Sequence, residues 1–320
     1  MSDKACCTPE RDDEGRGNAP ASSRHEHVGS SPASNGNTRG MRKLDGGVFL
    51  MGNDNGTYPE DGEGPVREVT LNPFYIDITP VTNKQFQKFV NATGYKTEAE
   101  QFGWSFVFFK LVGPKQAEKI KKKVMGLDWW WKVPGADWRH PEGRDSNIKD
   151  RMDHPATHLS WNDAIAYCDW AGKRLPTEAE YEYAARGGLV QKDLPWGDEL
   201  TPDGKHHCNI WQGTFPEHNT QEDGYLGTSP VRAFPPNGYG LHDVAGNVWE
   251  WCWDWFSKDF HVDGPRENPA GPAEGPAKVI RGGSFLCHES YCNRYRCSAR
   301  TANTPDSSTS NMGFRCVVDG

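Results

Sequence analysis

Glycine and proline set the limits on what this chain can build: 35 glycines and 23 prolines stand among 320 residues, more than one residue in six. Glycine weakens helix and strand interiors, and proline removes a backbone donor, so a bundle of long helices is excluded and a loop-rich fold is expected. The effect is strongest beyond Gly187-Gly188, where helical periodicity vanishes and short apolar pieces alternate with Gly, Pro, Asn and Asp. Thirteen Trp and 14 Phe still supply enough apolar surface for a core. No fixed-period repeat and no second domain boundary appear. The expectation is one irregular α+β domain over residues 41–320.

Residues 1–40 differ in kind. They are rich in Ser, Gly, Asn, Pro and charge, nearly devoid of large apolar side chains, and expected to be a disordered tail. Cys6-Cys7 is the odd feature there, read as an exposed thiol pair, with a transient thiol or metal-loading role as the alternative. Order is expected from near Leu44, with short strands at 47–52 and 66–71. Three helix starts carry their own caps: Thr82 with Gln85, Ser160 with Asp163, and Thr177 with Glu180. Gly94, Gly172 and Gly187 are placed to end them. Within the insertion 113–151, the lysines at 119–123 read as a solvated helix face. Trp129-Trp130-Trp131 reads as core or groove wall.

A net charge of −8 argues against nucleic acid or an anionic membrane as main partner. No apolar run approaches the roughly 18 residues of a membrane span. The N-terminus has no hydrophobic leader region, so a cytoplasmic location is expected. Nine cysteines, an odd number, then favour thiol, metal or redox chemistry over a disulfide scaffold.

The densest thiol cluster is Cys287-His288-Glu289-Ser290-Tyr291-Cys292, with Cys297 beyond it. The spacing is not the C-x2-C of structural zinc, and no matching second pair exists. Two sulfurs suit a two-coordinate soft ion such as Cu(I), or a redox disulfide; unrelated buried thiols are the plain alternative. Asn209-Ile210, Asp223-Gly224-Tyr225 and the run from Asp243 to Glu250 mix side-chain oxygens with glycine turns. Ca2+ takes such donors, though spacing alone reads them as turn chemistry. His206-His207 reads as an exposed loop pair. No G-x-S-x-G, P-loop, H-E-x-x-H or Rossmann glycine run competes.

Longer motifs carry a resemblance. They are Trp161-Asn162-Asp163-Ala164, Gly172-Lys173-Arg174-Leu175-Pro176-Thr177-Glu178-Ala179-Glu180, Asn209-Ile210-Trp211-Gln212-Gly213 and Gly246-Asn247-Val248-Trp249-Glu250-Trp251. The last group is Arg281-Gly282-Gly283-Ser284-Phe285-Leu286-Cys287 through Cys292, Asn303-Thr304-Pro305-Asp306-Ser307-Ser308 and Gly313-Phe314-Arg315-Cys316. Over residues 41–320 the chain resembles the formylglycine-generating enzymes, or sulfatase-modifying factors. The helix motif and the G-N-x-W-E-W stretch mark the wider superfamily; the two cysteines in their Gly-Gly-Ser setting mark the formylglycine-generating subset.

The resemblance implies a C-type-lectin-like α+β domain. It implies an oxidase that converts the cysteine of a Cys-x-Pro-x-Arg motif, in an unfolded or nascent sulfatase, to Cα-formylglycine with O2 and a thiol reductant. Cys287 and Cys292 would hold Cu(I), to which the client cysteine adds a third sulfur. Ser284 and Tyr291 are the candidates for orienting oxygen or a proton, Trp249 for a wall, and Ser308, Asn311 and Arg300 for client contacts. Two structural Ca2+ ions are implied, one at Asn209, Ile210, Asp223 and Tyr225, the other at Asp243, Gly246, Val248 and Glu250. A Cys168–Cys316 bridge is implied by secreted relatives but opposed by a reducing cytoplasm. Ala185 stands where a second bridge to Cys297 would need a cysteine. The competing readings are a non-catalytic peptide- or glycan-binding module on the same fold, and an iron-dependent C–S bond-forming oxygenase, which would need a histidine-rich site.

Overall fold

A computed structural model describes residues 8–11, 36–120 and 122–320. The helices start where side chains satisfy their first backbone donors. Thr82 and Gln85 form a reciprocal cap for Asn83–Thr93, Ser160 and Asp163 for Trp161–Ala171, and Thr177 and Glu180 for Glu178–Arg186. Each ends on a left-handed glycine at 94, 172 or 187. Thr97 and Glu100 use the same device to start Glu98–Phe102, a short helix passed over in the sequence. Among the described residues regular structure is sparse, 18% helix and 23% strand, as the glycine and proline load requires.

Three small sheets frame the interior. Phe74–Asp77 lies between Met41–Leu44 and Val317–Asp319, all antiparallel, which ties early and late chain together. A four-stranded sheet runs in the order Arg300–Asn303, Lys278–Arg281, Trp249–Trp255, Met312–Gly313, with the last pair parallel. Trp104–Phe108 and Lys123–Val124 flank Leu127–Pro134. Gly47–Met51 pairs with Arg67–Leu71 as a separate hairpin.

The strand Trp249–Trp255, Trp-Glu-Trp-Cys-Trp-Asp-Trp, alternates its two faces. Trp249, Trp251 and Trp253 join the apolar cluster that holds Cys287 and Cys292. Glu250, Cys252 and Asp254 point the other way, toward buried arginines. There Arg281 bridges Glu178 and Glu182, Arg300 grips Glu178, Arg186 pairs with Glu182, and Arg315 with Glu250.

Two expectations change. The helix of the insertion is only Pro114–Ala117 and stops before the lysines. Lys123 instead pairs across from Trp131 in a strand, and Lys122 is exposed beside it, so strand pairing overrides helix propensity there. Of the expected tail, residues 1–7 and 12–35, Cys6 and Cys7 among them, lie outside the described residues. Thr8 and Arg11 are described and buried, 1% and 2% exposed.

Candidate active site

The loop at 281–292 is shaped by glycine. Gly282 has φ +88°, and a β-carbon there would fall 2.5 Å from the Tyr181 hydroxyl, so only glycine fits. The turn that follows brings the Cys287 N–H to the Ser284 carbonyl at 2.9 Å and the Cys292 N–H to the His288 carbonyl at 2.8 Å. As a result the Cys287 and Cys292 sulfurs stand 3.5 Å apart, in contact but unbonded, both in the core. Burial first, and then the neighbouring thiol, push Cys287 well above the usual thiol range. The Ser284 N–H points at its sulfur from 3.4 Å. Arg294, held by Asp61, brings Nη1 to 3.9 Å from the Cys292 sulfur.

These donors fit a soft monovalent ion: two converging sulfurs with a cation close by to offset negative charge. Among the described residues, no group of three or more His, Cys, Asp or Glu is placed to hold a metal ion. The described residues therefore offer no histidine-rich set of the kind an iron oxygenase needs.

Most of the expected site residues converge on this pair. The Ser284 hydroxyl accepts from Asn311 Nδ2 at 2.9 Å and from the Leu286 N–H at 3.3 Å; Asn311 Oδ1 in turn accepts from Thr309 Oγ1 at 2.6 Å. Trp249 donates its backbone N–H to the Asn311 carbonyl, while its buried indole N–H has no partner. Tyr291 stacks on Phe215 at 4.0 Å and meets Trp129 edge-on at 5.4 Å, forming an aromatic wall. Of the tryptophan run, Trp130 is core and Trp129 is wall.

Ser308 belongs to a relay invisible in the sequence. Its hydroxyl lies 2.9 Å from Ser105 Oγ, which lies 2.8 Å from His158 Nδ1. Burial lowers His158 to about 4, so the ring stays neutral near pH 7. Arg300 sits inside the ion-pair lattice, clamped on both Glu178 oxygens at 2.6 Å and donating to the Ser257 carbonyl, where it lines a cavity with Arg67, Asp254 and His261.

A second feature escaped the sequence reading. Arg11 places its guanidinium 4.1 Å from both the Phe102 and Trp104 rings, and donates to Ser308 Oγ at 3.0 Å and to the Asp306 carbonyl at 3.1 Å. Its N–H reaches Ser307 Oγ at 2.7 Å, and Asn303 Nδ2 donates to Thr8 Oγ1 at 2.9 Å.

The two oxygen sets are neighbours, because Gly246, at φ +74°, lets its backbone pass the Asn209 carbonyl where a β-carbon would come within 2.4 Å. In the first, Asn209 Oδ1 is buried without a partner, and burial raises Asp223, whose oxygens accept from the Ile210 and Tyr225 N–H groups. An orphaned amide oxygen beside a carboxylate fits Ca2+. The second set is occupied by protein. Both Glu250 oxygens accept from Arg315 at 2.7 Å, and the Asp243 oxygens accept from the Arg232 N–H and Asn247 Nδ2. A cation there has to share Glu250 with a guanidinium, and this set does not fit the ion as the first does.

The chain matches the sulfatase-modifying factor enzyme 1-like domain over residues 27–320. The formylglycine-generating enzyme of Thermomonospora curvata is 61% identical over 285 residues, which cover 88% of this chain and 94% of that protein. The inactive C-alpha-formylglycine-generating enzyme 2 of Bos taurus is 48% identical over 288 residues, covering 88% and 89%. Among solved structures, PvdO from Pseudomonas aeruginosa aligns with TM-score 0.63 at 26% identity, over 88% of this chain and 94% of that one. No helix among the described residues is long and apolar enough to cross a membrane.

Proposed function

The chain belongs to the sulfatase-modifying factor family, and on that premise we propose that it converts the cysteine of a Cys-x-Pro-x-Arg motif in sulfatases to Cα-formylglycine. The observation that carries the reading is the buried, unbonded Cys287–Cys292 pair with the Ser284–Asn311 contact beside it. Family membership alone is not enough, since a relative 48% identical is named inactive. That relative keeps open a non-catalytic binding module as the second reading.

Cys287 and Cys292 would hold Cu(I) as thiolates, with Arg294 offsetting their charge. A cuprous ion so held supplies one-electron chemistry toward O2. Asn311 fixes the Ser284 hydroxyl, a polar group able to hold a proton beside the sulfurs. Phe285, Leu286 and Trp249 exclude water, and Tyr291, Phe215 and Trp129 line the approach. In balance, the client CH2SH, one O2 and two reductant thiols give CHO, H2S, a disulfide and water. Reductant thiols fit a reducing compartment, and none of the seven described cysteines is in a disulfide, the Cys168 and Cys316 sulfurs lying 3.6 Å apart. Structural Ca2+ is proposed at the first oxygen set, on its orphaned amide oxygen.

The test is mass spectrometry of a Cys-x-Pro-x-Arg peptide after aerobic incubation with Cu(I)-loaded protein and a thiol. Oxidase activity appears as the mass loss of replacing CH2SH by CHO. A peptide that binds yet keeps its mass, with copper loading verified, identifies the binding module instead.

A further inference from the structure

We propose that the chain is its own substrate: Thr8–Arg11 dock against Asn303, Ser307 and Ser308 as a client motif would, and Cys7 is converted to formylglycine in cis. The inference rests on the Cys-x-Pro-x-Arg reading above, because these five residues repeat that pattern position for position, with Cys7 where the client cysteine stands.

The described part of the motif is bound as a peptide ligand is bound. Thr8–Arg11 come from a stretch with almost no apolar side chains to drive packing, yet Thr8 and Arg11 are buried. What holds them is specific. Asn303 Nδ2 faces Thr8 Oγ1 and the Pro9 carbonyl, Ser307 receives the Arg11 N–H, and the guanidinium lies between two aromatic rings with Ser308 and the Asp306 carbonyl as acceptors. Guanidinium on aromatic faces is a favourable and selective contact.

The receiving segment leads directly to the thiols. Ser308 holds Arg11; three residues on, Asn311 holds Ser284, whose N–H faces Cys287. The segment 303–311 thus touches the docked residues at one end and, through Asn311, the loop that carries the sulfur pair at the other. Tethering makes the encounter intramolecular, so it does not depend on protein concentration. Residues 12–35 join Arg11 to Gly36, and their contour limit of about 80 Å leaves reach unrestricted.

The step balances as for any client. The Cys7 Cβ–S bond breaks and a C=O bond forms; O2 and two reductant thiols are consumed; H2S, a disulfide and water leave.

The experiment uses the full chain, loaded with Cu(I) without oxygen, then exposed to air with a thiol and an added Cys-x-Pro-x-Arg peptide. The tail peptide is expected to show the thiol-to-aldehyde mass loss, assigned to Cys7 and not Cys6 by fragmentation, at a rate unchanged when the protein is diluted. Arg11→Ala should slow Cys7 conversion about tenfold or more. A metal-free readout accompanies it: a labelled Ser-Thr-Pro-Glu-Arg peptide should bind the Arg11→Ala chain about tenfold more tightly than the parent, whose docking site is already filled. Conversion of the added peptide with Cys7 intact overturns this inference and leaves the client reading standing. A Cys7 rate that rises with protein concentration overturns the cis assignment, as does equal affinity of the labelled peptide for both chains. Failure of both peptides to convert removes the client reading and this inference together.

Discussion

The two faces of the Trp249–Trp255 strand are both buried, and they solve burial differently. Behind Glu250, Cys252 and Asp254, the carboxylates of Glu178, Glu182 and Glu250 are matched by guanidiniums, and Asp254 accepts from the Glu178 N–H. Behind Trp249, Trp251 and Trp253 the surroundings are aromatic and thiol-bearing, and that half of the molecule leaves the indole N–H groups of Trp129, Trp211 and Trp249 and Nε2 of His158 buried without partners. Arg281 Nε on the ion-paired side is buried without a partner as well, so the faces differ in charge: one matches carboxylates with guanidiniums and is built for stability, the other gathers thiols among aromatic rings and is built to receive something.

That contrast can be broken by crossed substitutions. Cys292→Ser should abolish formylglycine formation and copper binding while the protein melts within a few degrees of the parent. Arg281→Met should do the reverse: it strands Glu182 and Glu178 beside fewer cations and costs about 3–5 kcal/mol in denaturant unfolding, with turnover per folded molecule preserved. Equal loss of stability in both variants would erase the distinction.

Acid sharpens the same contrast. Burial alone would raise Glu182, but Arg186 and Arg281 outweigh it and bring it down to about 2. The folded value lies below the ordinary 4.5, so this stabilisation is present above pH 4.5 and lost as pH falls toward 2, roughly 3 kcal/mol in all. Glu182→Gln should therefore flatten the dependence of Tm on pH across that window. The smallest effect belongs to the thiol face: Ser284→Ala removes the acceptor for Asn311 and should lower kcat about tenfold, roughly 1.4 kcal/mol, with little change in Tm.

Legibility followed sequence distance. The three helix starts were readable because a cap and its partner sit three residues apart, and the thiol pair because five residues separate it. The ion-pair lattice was not. Glu178 reads locally as the first residue of a helix, while its partner Arg300 lies 122 positions away, and no periodicity signals such a match. Arg300 was consequently read as a client contact, with its place in the lattice unforeseen. Ser105 and His158, 53 positions apart, were missed for the same reason. The docked Arg11 was overlooked for a different reason: low hydrophobicity argued for a tail, and the motif across residues 7–11 was the available signal.

The sheet that joins Met41–Leu44, Phe74–Asp77 and Val317–Asp319 makes the molecule a closed ring of chain. The Asp77 N–H reaches the Cys316 carbonyl and the Val81 N–H reaches that of Phe314, so neither half of the polypeptide has a finished interior alone. A backbone cut at the exposed turn carrying Met125 would thus release nothing: the fragments stay knitted through that seam, and protease resistance of the assembled body outlasts the continuity of its chain.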